Sequence, residues 1–324
     1  MMIESLLRDL TASQREQVLL VKDNTGGTLL HLIMCITPVN TIDMLNTIIG
    51  DPLTLEQVLS LLHVQNNYGS TPLHVIADEL NSEQTGLADM GKLQGGDELP
   101  LWQEGPVMPN IILSEKLKIK SEALIHLLQL LKPHDRYKLL KKVNSHGETL
   151  LHVLLHNQLD TQHHKFVSDS LRKVIGLIEM DMRGHILSVE DSNGDSVFGL
   201  VLDRAVVVEK TALKTTLDVL DPPTIMELLT PSLLAALVNS VHVSVNNTVE
   251  ALSAVFQKLN TRDCFEFLIL KLANDLTLAH VIAQLPTGNG LQCFLQSLTE
   301  TTEEQLILLH GGFTTQQPVK PLHL

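Results

Sequence analysis

The stretch that decides the fold is "NNYGSTPLHVIA", residues 66–77, because its pattern returns along the chain. Residues 24–33 read "NTGGTLLHLI", and residues 145–154 read "SHGETLLHVL". All three stretches share Gly-x-Thr-x-Leu-His followed by two aliphatic residues. A repeat of this kind predicts an array of similar structural units, each stacked on its neighbours.

Two weaker copies extend the pattern towards the C-terminus. Residues 192–201, "SNGDSVFGLV", have Gly199 where the histidine would fall. Residues 274–282, "NDLTLAHVI", keep His280 but have no glycine at the turn.

The spacing between copies alternates between short and long. From residue 31 to 74 is 43 residues, from 74 to 152 is 78, from 152 to 199 is 47, and from 199 to 280 is 81. Each long gap therefore holds either a degenerate copy or an insertion. Residues 83–110 are rich in Gly, Pro and acidic residues and predict a loop, whereas "TPSLLAALVNSVH", residues 230–242, reads as a decayed copy.

The segments between the copies predict helices. They begin with Thr or Ser caps and continue with apolar residues at three- and four-residue spacing, as in the stripe Leu124, Leu127, Leu128 and Leu131. Aromatic residues make up only 3% of the chain, so the core must be aliphatic, which favours stacked helices over a sheet sandwich. We expect an all-α fold with two to three helices and a turn per unit.

The shared residues of the motif have a structural explanation. The glycine supplies positive φ after the turn, and the threonine sits where a helix begins and can cap free backbone N–H groups. The histidine ring can bond backbone groups and stitch neighbouring turns together. The predicted structural motif consists of Gly26, Thr28, His31, Gly69, Thr71, His74, Gly147, Thr149 and His152.

The motif resembles the start of an ankyrin repeat, whose pattern is Asp-x-x-Gly-x-Thr-Pro-Leu-His. The best match runs from Gly69 through Thr71, Pro72 and Leu73 to His74. The family period is about 33 residues, shorter than the spacings here. The resemblance implies an ankyrin-like helical solenoid with long, irregular repeats. It also implies a non-enzymatic protein–protein interaction scaffold, with contacts at the turn tips and the concave helix face.

The motif positions also divide the chain. We expect an N-terminal capping helix at 1–23 and ankyrin-like repeats at 24–204, with the loop insertion near 83–110. Degenerate helical repeats and a C-terminal cap are expected at 205–310, followed by a flexible tail at 311–324.

Candidate partner-binding residues lie where the copies differ. Thr25, Tyr68, His146 and Asn193 occupy the position before each motif glycine, at the tip of the turn. Trp102 is the only tryptophan and falls in the loop insertion. A tryptophan on a loop is a frequent binding anchor; the alternative is that it pins the loop to the array.

Composition excludes several classes of partner. The formal net charge is −14, and the cluster Lys138, Lys141 and Lys142 is interpreted as a solvated helix face, so we expect no nucleic-acid binding. No run approaches the roughly 20 apolar residues of a membrane-spanning helix, and the N-terminus does not read as a signal peptide. Three cysteines fit no disulfide framework and indicate a reducing, cytoplasmic compartment.

Catalytic and metal sites are the alternatives to a scaffold. Equivalent histidines of stacked units lie roughly 10 Å apart and cannot share a zinc ion, which binds nitrogen at about 2.0–2.1 Å. A metal site at His156, His163 and His164 lacks clear carboxylate or thiolate partners. Cys264 or Cys293 could pair with His280 in a cysteine-dependent enzyme, although buried, inert thiols are preferred. We predict no cofactor, no metal and no enzymatic activity.

The C-terminal segment 299–324 combines an acidic cluster with a polar tail that ends in apolar residues. It resembles the C-terminal secretion signals of type IV effectors of intracellular bacteria, many of which carry irregular ankyrin arrays. That resemblance implies a host protein as partner and export into a host cell. The alternative is an array cap with a frayed tail.

Overall fold

The computed structural model describes residues 7, 10–36, 41–50, 52–81, 110–155, 161–207, 210–239, 244–268 and 277–278. Every regular element among these residues is an α-helix, apart from two isolated β-bridges, so the predicted all-α class is confirmed for them. The chain divides into two compact regions, residues 1–228 and 229–324, which are described separately.

The N-terminal region contains thirteen helices within its described residues. In chain order they are α1 (Ala12–Leu19), α2 (Leu29–Ile36), α3 (Thr41–Ile49), α4 (Leu55–Leu62), α5 (Pro72–Asn81), α6 (Asn110–Leu130), α7 (Pro133–Leu140), α8 (Leu150–Leu155), α9 (Thr161–Gly176), α10 (Met180–Leu187), α11 (Val197–Val207), α12 (Thr211–Leu217) and α13 (Pro222–Leu228).

After α1, these helices fall into four repeats of one turn and three helices. The turns lie at residues 23–28, 66–71, 144–149 and 191–196. The helix after each turn, called here the motif helix, contacts its counterparts in order: α2 meets α5, α5 meets α8, and α8 meets α11. The second helices follow the same order, with α3 on α6, α6 on α9, and α9 on α12. Among the third helices, α10 contacts α13. Helix α1, which precedes the first repeat, contacts α4, the third helix of that repeat.

The starts of α1 and α4 are defined by the same local chemistry. Before α4, the backbone N–H of Thr54 donates to Oε1 of Gln57, and the N–H of Gln57 donates to Oγ1 of Thr54. Thr11 and Gln14 make the same reciprocal pair before α1. Each pair satisfies two N–H groups that the first helical turn leaves without a partner.

The core of this region is aliphatic, as the composition predicts. Buried leucine, isoleucine and valine side chains line all three sets of helices, and Phe198 is the one phenylalanine among the largest fully buried side chains described in residues 1–228. The α6–α9 contact also buries a polar pair, since the hydroxyls of Ser121 and Ser170 lie 2.7 Å apart.

The C-terminal region is described over three helices: α14 (Pro231–Asn239), α15 (Val245–Phe256) and α16 (Thr261–Leu268). The hydroxyl of Thr230 accepts from the backbone N–H of Leu233 at the start of α14. Phe256 and Phe267 pack edge to face, with ring centroids 6.3 Å apart. The segment 230–242, interpreted from sequence as a decayed copy, thus contains α14.

Candidate binding surface at the repeated turns

Each of the four turns is built around an Asp or Asn side chain at its first position. Oδ1 of Asn66 accepts from the backbone N–H groups of Tyr68, at 2.9 Å, and Ser70, at 3.0 Å. The other turns repeat both bonds, with Asp23, Asn144 and Asp191 as the acceptors. These four residues are absent from the predicted site residues, although each stands three positions before the motif glycine. A side chain that satisfies two backbone donors fixes the shape of its turn.

The glycine after the tip of each turn has positive φ, at 74° in Gly26, 70° in Gly69, 73° in Gly147 and 84° in Gly194. Space is also limited there: a Cβ at Gly69 would lie 2.7 Å from the backbone nitrogen of Ser145, in the next turn. Glycine is therefore required by the backbone conformation in all four turns and by the neighbouring turn as well in the first three, since a Cβ at Gly194 would meet no atom of the described residues within 4 Å.

The motif histidine joins two turns through both ring nitrogens. The backbone N–H of Thr71 donates to Nδ1 of His74, and Nε2 of His74 lies 3.2 Å from the carbonyl oxygen of Glu148 in the next turn. Because Nδ1 accepts, the proton is on Nε2, which donates to that carbonyl. His31 reaches Ser70, and His152 reaches Asp195, each at 3.0 Å. We call this arrangement the histidine clasp.

These bonds leave the clasp histidines no lone pair for a metal ion. Within the described part of the chain, no group of three or more His, Cys, Asp or Glu side chains could hold a metal. His156 lies outside the described residues, as do the side chains of His163 and His164.

Burial favours the neutral form of two clasp histidines, His31 and His74. It lowers the pKa of His74 to about 4, against the opposing effect of the Glu148 carbonyl. Burial also lowers the pKa of His31, although the Ser70 carbonyl acts in the other direction. The neutral form is the one that the Thr–His–carbonyl geometry requires.

The tip residues have their backbones fixed in a row by direct bonds between turns. The carbonyl of Thr25 accepts from the N–H of Asn67, at 2.9 Å, and the carbonyl of Tyr68 accepts from Ser145, at 3.0 Å. In the same way, the carbonyl of His146 accepts from the N–H of Ser192 in the fourth turn, at 3.1 Å. The second and third turns are thus in direct contact, and no further turn intervenes between them despite their 78-residue separation.

The side chains at the tips differ in their availability. Tyr68 is 58% exposed, and His146 and Asn193 are also exposed. Asn193 folds back to Asp191, with Nδ2 donating to Oδ2 over 3.2 Å. Thr25 is half-buried, and its hydroxyl donates to Oδ1 of Asp23. Trp102 lies outside the described residues.

A second clasp, formed by arginines, joins the repeats away from the turns. Arg136 on α7 donates to the carbonyls of Leu128 and Leu131 at the end of α6, and to Leu177 at the end of α9 in the next repeat. Arg183 on α10 contacts Gly176, Ile178 and Val219 in the same manner, and Arg15 on α1 contacts Leu7 and Thr47.

The arginine clasp was not predicted, although the sequence carries a signal for it. Arg15 and Arg136 each lie 16 residues before a motif histidine, and Arg183 lies 16 residues before Gly199. Val58 occupies this position in the first repeat, where it is buried. The joint between the first and second repeats therefore has a histidine clasp and no arginine at the equivalent position.

The described cysteines are poor nucleophiles. Burial raises the pKa of Cys264 to about 11. Burial, reinforced by Glu79, raises the pKa of Cys35 to about 11. A thiol of this pKa is protonated near neutral pH, whereas the thiolate is the reactive form. Cys293 and His280 lie outside the described residues.

Comparison with known proteins adds no family to this description. A scan against protein-family models and a search of curated proteins returned no match for the chain. Among the helices described here, none is both long enough and apolar enough to cross a membrane.

Proposed function

We propose that the chain is a non-enzymatic scaffold, built as an ankyrin-like solenoid with long repeats, which binds another protein across its turn tips. The observation that carries this proposal is the row of tip residues, whose backbones are bonded turn to turn while Tyr68 and His146 project into solvent. Because the backbone of these residues is already fixed, binding of a partner costs little backbone conformational entropy.

The chemistry around the tips supports recognition of a protein surface. Exposed positions beside Tyr68 and His146 carry Asn67, Ser145 and Ser192. Tyrosine, serine and asparagine also dominate antibody paratopes, where tyrosine supplies rigid contact area and the small polar residues supply adaptable hydrogen bonds.

Apolar side chains on the motif helices extend this surface. The residue after each clasp position is aliphatic: Leu32 is 46% exposed, Val75 and Leu200 are half-buried, and Val153 is buried. A partner lying across the turns would cover these side chains, and burial of apolar area provides binding free energy.

Affinity capture with a matched surface control tests the proposal. The full chain carrying Tyr68→Ala, His146→Ala and Asn193→Ala should lose the proteins that the unmodified chain captures from lysates. A control with Gln17→Ala, Glu56→Ala and Lys138→Ala, all exposed on the third helices or α1, should keep them. Equal capture by the tip variant and the unmodified chain would contradict the proposal.

A narrower version has a host protein as the partner of an exported effector. It rests on the resemblance of segment 299–324 to secretion signals, a segment outside the described residues. Deletion of residues 311–324 should abolish export without changing the melting temperature of the N-terminal region, and normal export after deletion would exclude this version.

The enzyme alternative predicts a different result. It requires activity that disappears when Cys264, Cys293 or His280 is replaced by alanine while the fold is retained. The raised pKa of Cys264 favours the scaffold instead.

A further inference from the structure

The joint between the first and second repeats is held differently from the later joints. His74 and Arg136 both connect the second repeat to the third, and His152 and Arg183 both connect the third to the fourth. Val58 replaces the arginine in the first repeat, so His31 forms the only clasp of either kind at its joint with the second repeat among the described residues.

The two clasps respond differently to protons. A histidine clasp needs an unprotonated Nδ1, because the threonine N–H donates to its single lone pair. Protonation at Nδ1 turns this acceptor into a donor that opposes the threonine N–H and leaves the hydroxyl of Thr28, 2.9 Å from Nδ1 of His31, as its acceptor. An arginine clasp consists only of donors from a group that stays charged over the whole physiological range.

We propose that the joint between the first and second repeats is an acid-sensitive hinge, in which protonation of His31 releases the turn at 23–28 from the turn at 66–71. The later joints stay closed under the same conditions because Arg136 and Arg183 hold them on the side away from the turns.

The groups around His31 allow this titration. Lys22 and Asp23 lie in its own turn and act on its ring in opposite directions. The second repeat presents the Ser70 carbonyl directly to Nε2. At the far end of α2, Cys35 lies near Asp78 and Glu79 of α5. Glu79 forms an ion pair, at 2.8 Å, with Lys120 of α6.

The other bonds at this joint are few and near the surface. The N–H of Asn67 donates to Thr25, its side-chain amide donates to Asn24, and Lys22 donates to the Gln65 carbonyl. On the second helices, the bridge is again a histidine, since Nε2 of His126 lies 2.7 Å from Oδ1 of Asn46. Loss of the His31 clasp therefore leaves these polar contacts, the bond from Cys35 to Glu79, and the packing of α2 on α5 and of α3 on α6.

Hydrogen exchange of the full chain, measured at pH 7 and pH 5 and corrected for intrinsic rates, tests the hinge. The amide of Asn67 reports the first joint, and those of Ser145 and Ser192 report the next two. If His31 has an ordinary histidine pKa when the joint is open, protection of the Asn67 amide should fall by up to about 30-fold between pH 7 and pH 5. Ser145 and Ser192 should stay better protected than Asn67 at both pH values, because their joints cannot open without also releasing Arg136 and Arg183.

A variant without an ionisable side chain at position 31 tests whether the His31 ring causes the pH dependence of Asn67 protection. His31→Gln should make Asn67 protection equal at the two pH values, whereas His134→Gln, on the exposed surface of α7, should behave as the unmodified chain does. Protection of Asn67 at pH 5 that equals or exceeds that of Ser145 and Ser192, unchanged protection of Asn67 between the two pH values, or persistent pH dependence in His31→Gln would overturn the proposal. If His31→Gln does not fold, the three-joint comparison in the unmodified chain still decides.

Discussion

The Nε2 atom of His74 lies 3.2 Å from the carbonyl oxygen of Glu148, a residue 74 positions further along the chain. The same ring accepts from the N–H of Thr71, so replacing it would leave that buried donor without its acceptor and the Glu148 carbonyl with only its bond from Asn144. His74→Ala should therefore lower the free energy of unfolding by about 2–4 kcal/mol. Urea denaturation followed by circular dichroism measures this change.

The matched control is His146→Ala, which removes an exposed histidine at the tip of the third turn. Its side chain should contribute less than about 0.5 kcal/mol to stability. Similar losses in the two variants would mean that the clasp bonds do not stabilise the fold.

The pH dependence of stability should follow the buried histidines. Because the pKa of His74 falls to about 4 in the folded chain, the unfolded chain binds more protons between pH 6.5 and 4. The stability that the neutral ring supplies is complete above pH 6.5 and is lost as the pH falls towards 4, a change of about 3 kcal/mol for this residue. Urea midpoints at pH 7.5, 5.5 and 4 should decline more steeply in the unmodified chain than in His74→Gln, and parallel curves would contradict the assignment.

The turn glycines should not tolerate a side chain. Gly69→Ala places a Cβ 2.7 Å from the Ser145 nitrogen at a φ of +70°, so a loss of at least about 2 kcal/mol is expected. Gly176→Ala is the control, because a Cβ there meets no atom of the described residues within 4 Å. Thermal melts should separate the two variants by several degrees, and an equal melting temperature would show that the turn can relax.

The arginine clasp should contribute to stability independently of the turns. Arg136→Met keeps much of the apolar stem but leaves the carbonyls of Leu128, Leu131 and Leu177 without their charged donor. We expect a loss of about 2–4 kcal/mol, largely independent of pH between 7 and 5. Arg172→Met, on the exposed face of α9, should change the unfolding midpoint little.

Local features of the fold could be predicted from the sequence because they depend on neighbouring residues. Leu124, Leu127 and Leu128 follow a helical period, and all three are buried in α6. The positive φ of Gly69 follows from its place after a turn, between "NNY" and a helix start. Both signals lie within a few residues of the structure that they specify.

The arginine clasp could not be predicted in this way. Arg136 is half-buried and polar, and its partner Leu177 lies 41 residues away on another repeat. Nothing near Arg136 in the chain distinguishes it from a solvated arginine. The turn residue Asn66 was missed for a different reason, since asparagine is common in turns and its two bonds depend on the final loop geometry.

The connection between α5 and α6 offers a site for engineering. Its ends belong to one repeat, in which the Glu79–Lys120 ion pair, at 2.8 Å, holds the end of α5 against the middle of α6. The turns before and after this repeat touch each other, so the spacing of the array does not depend on how many residues lie between Asn81 and Asn110. A reporter domain whose termini match the spacing of Asn81 and Asn110 could replace that connection and leave the alignment of the tip residues unchanged.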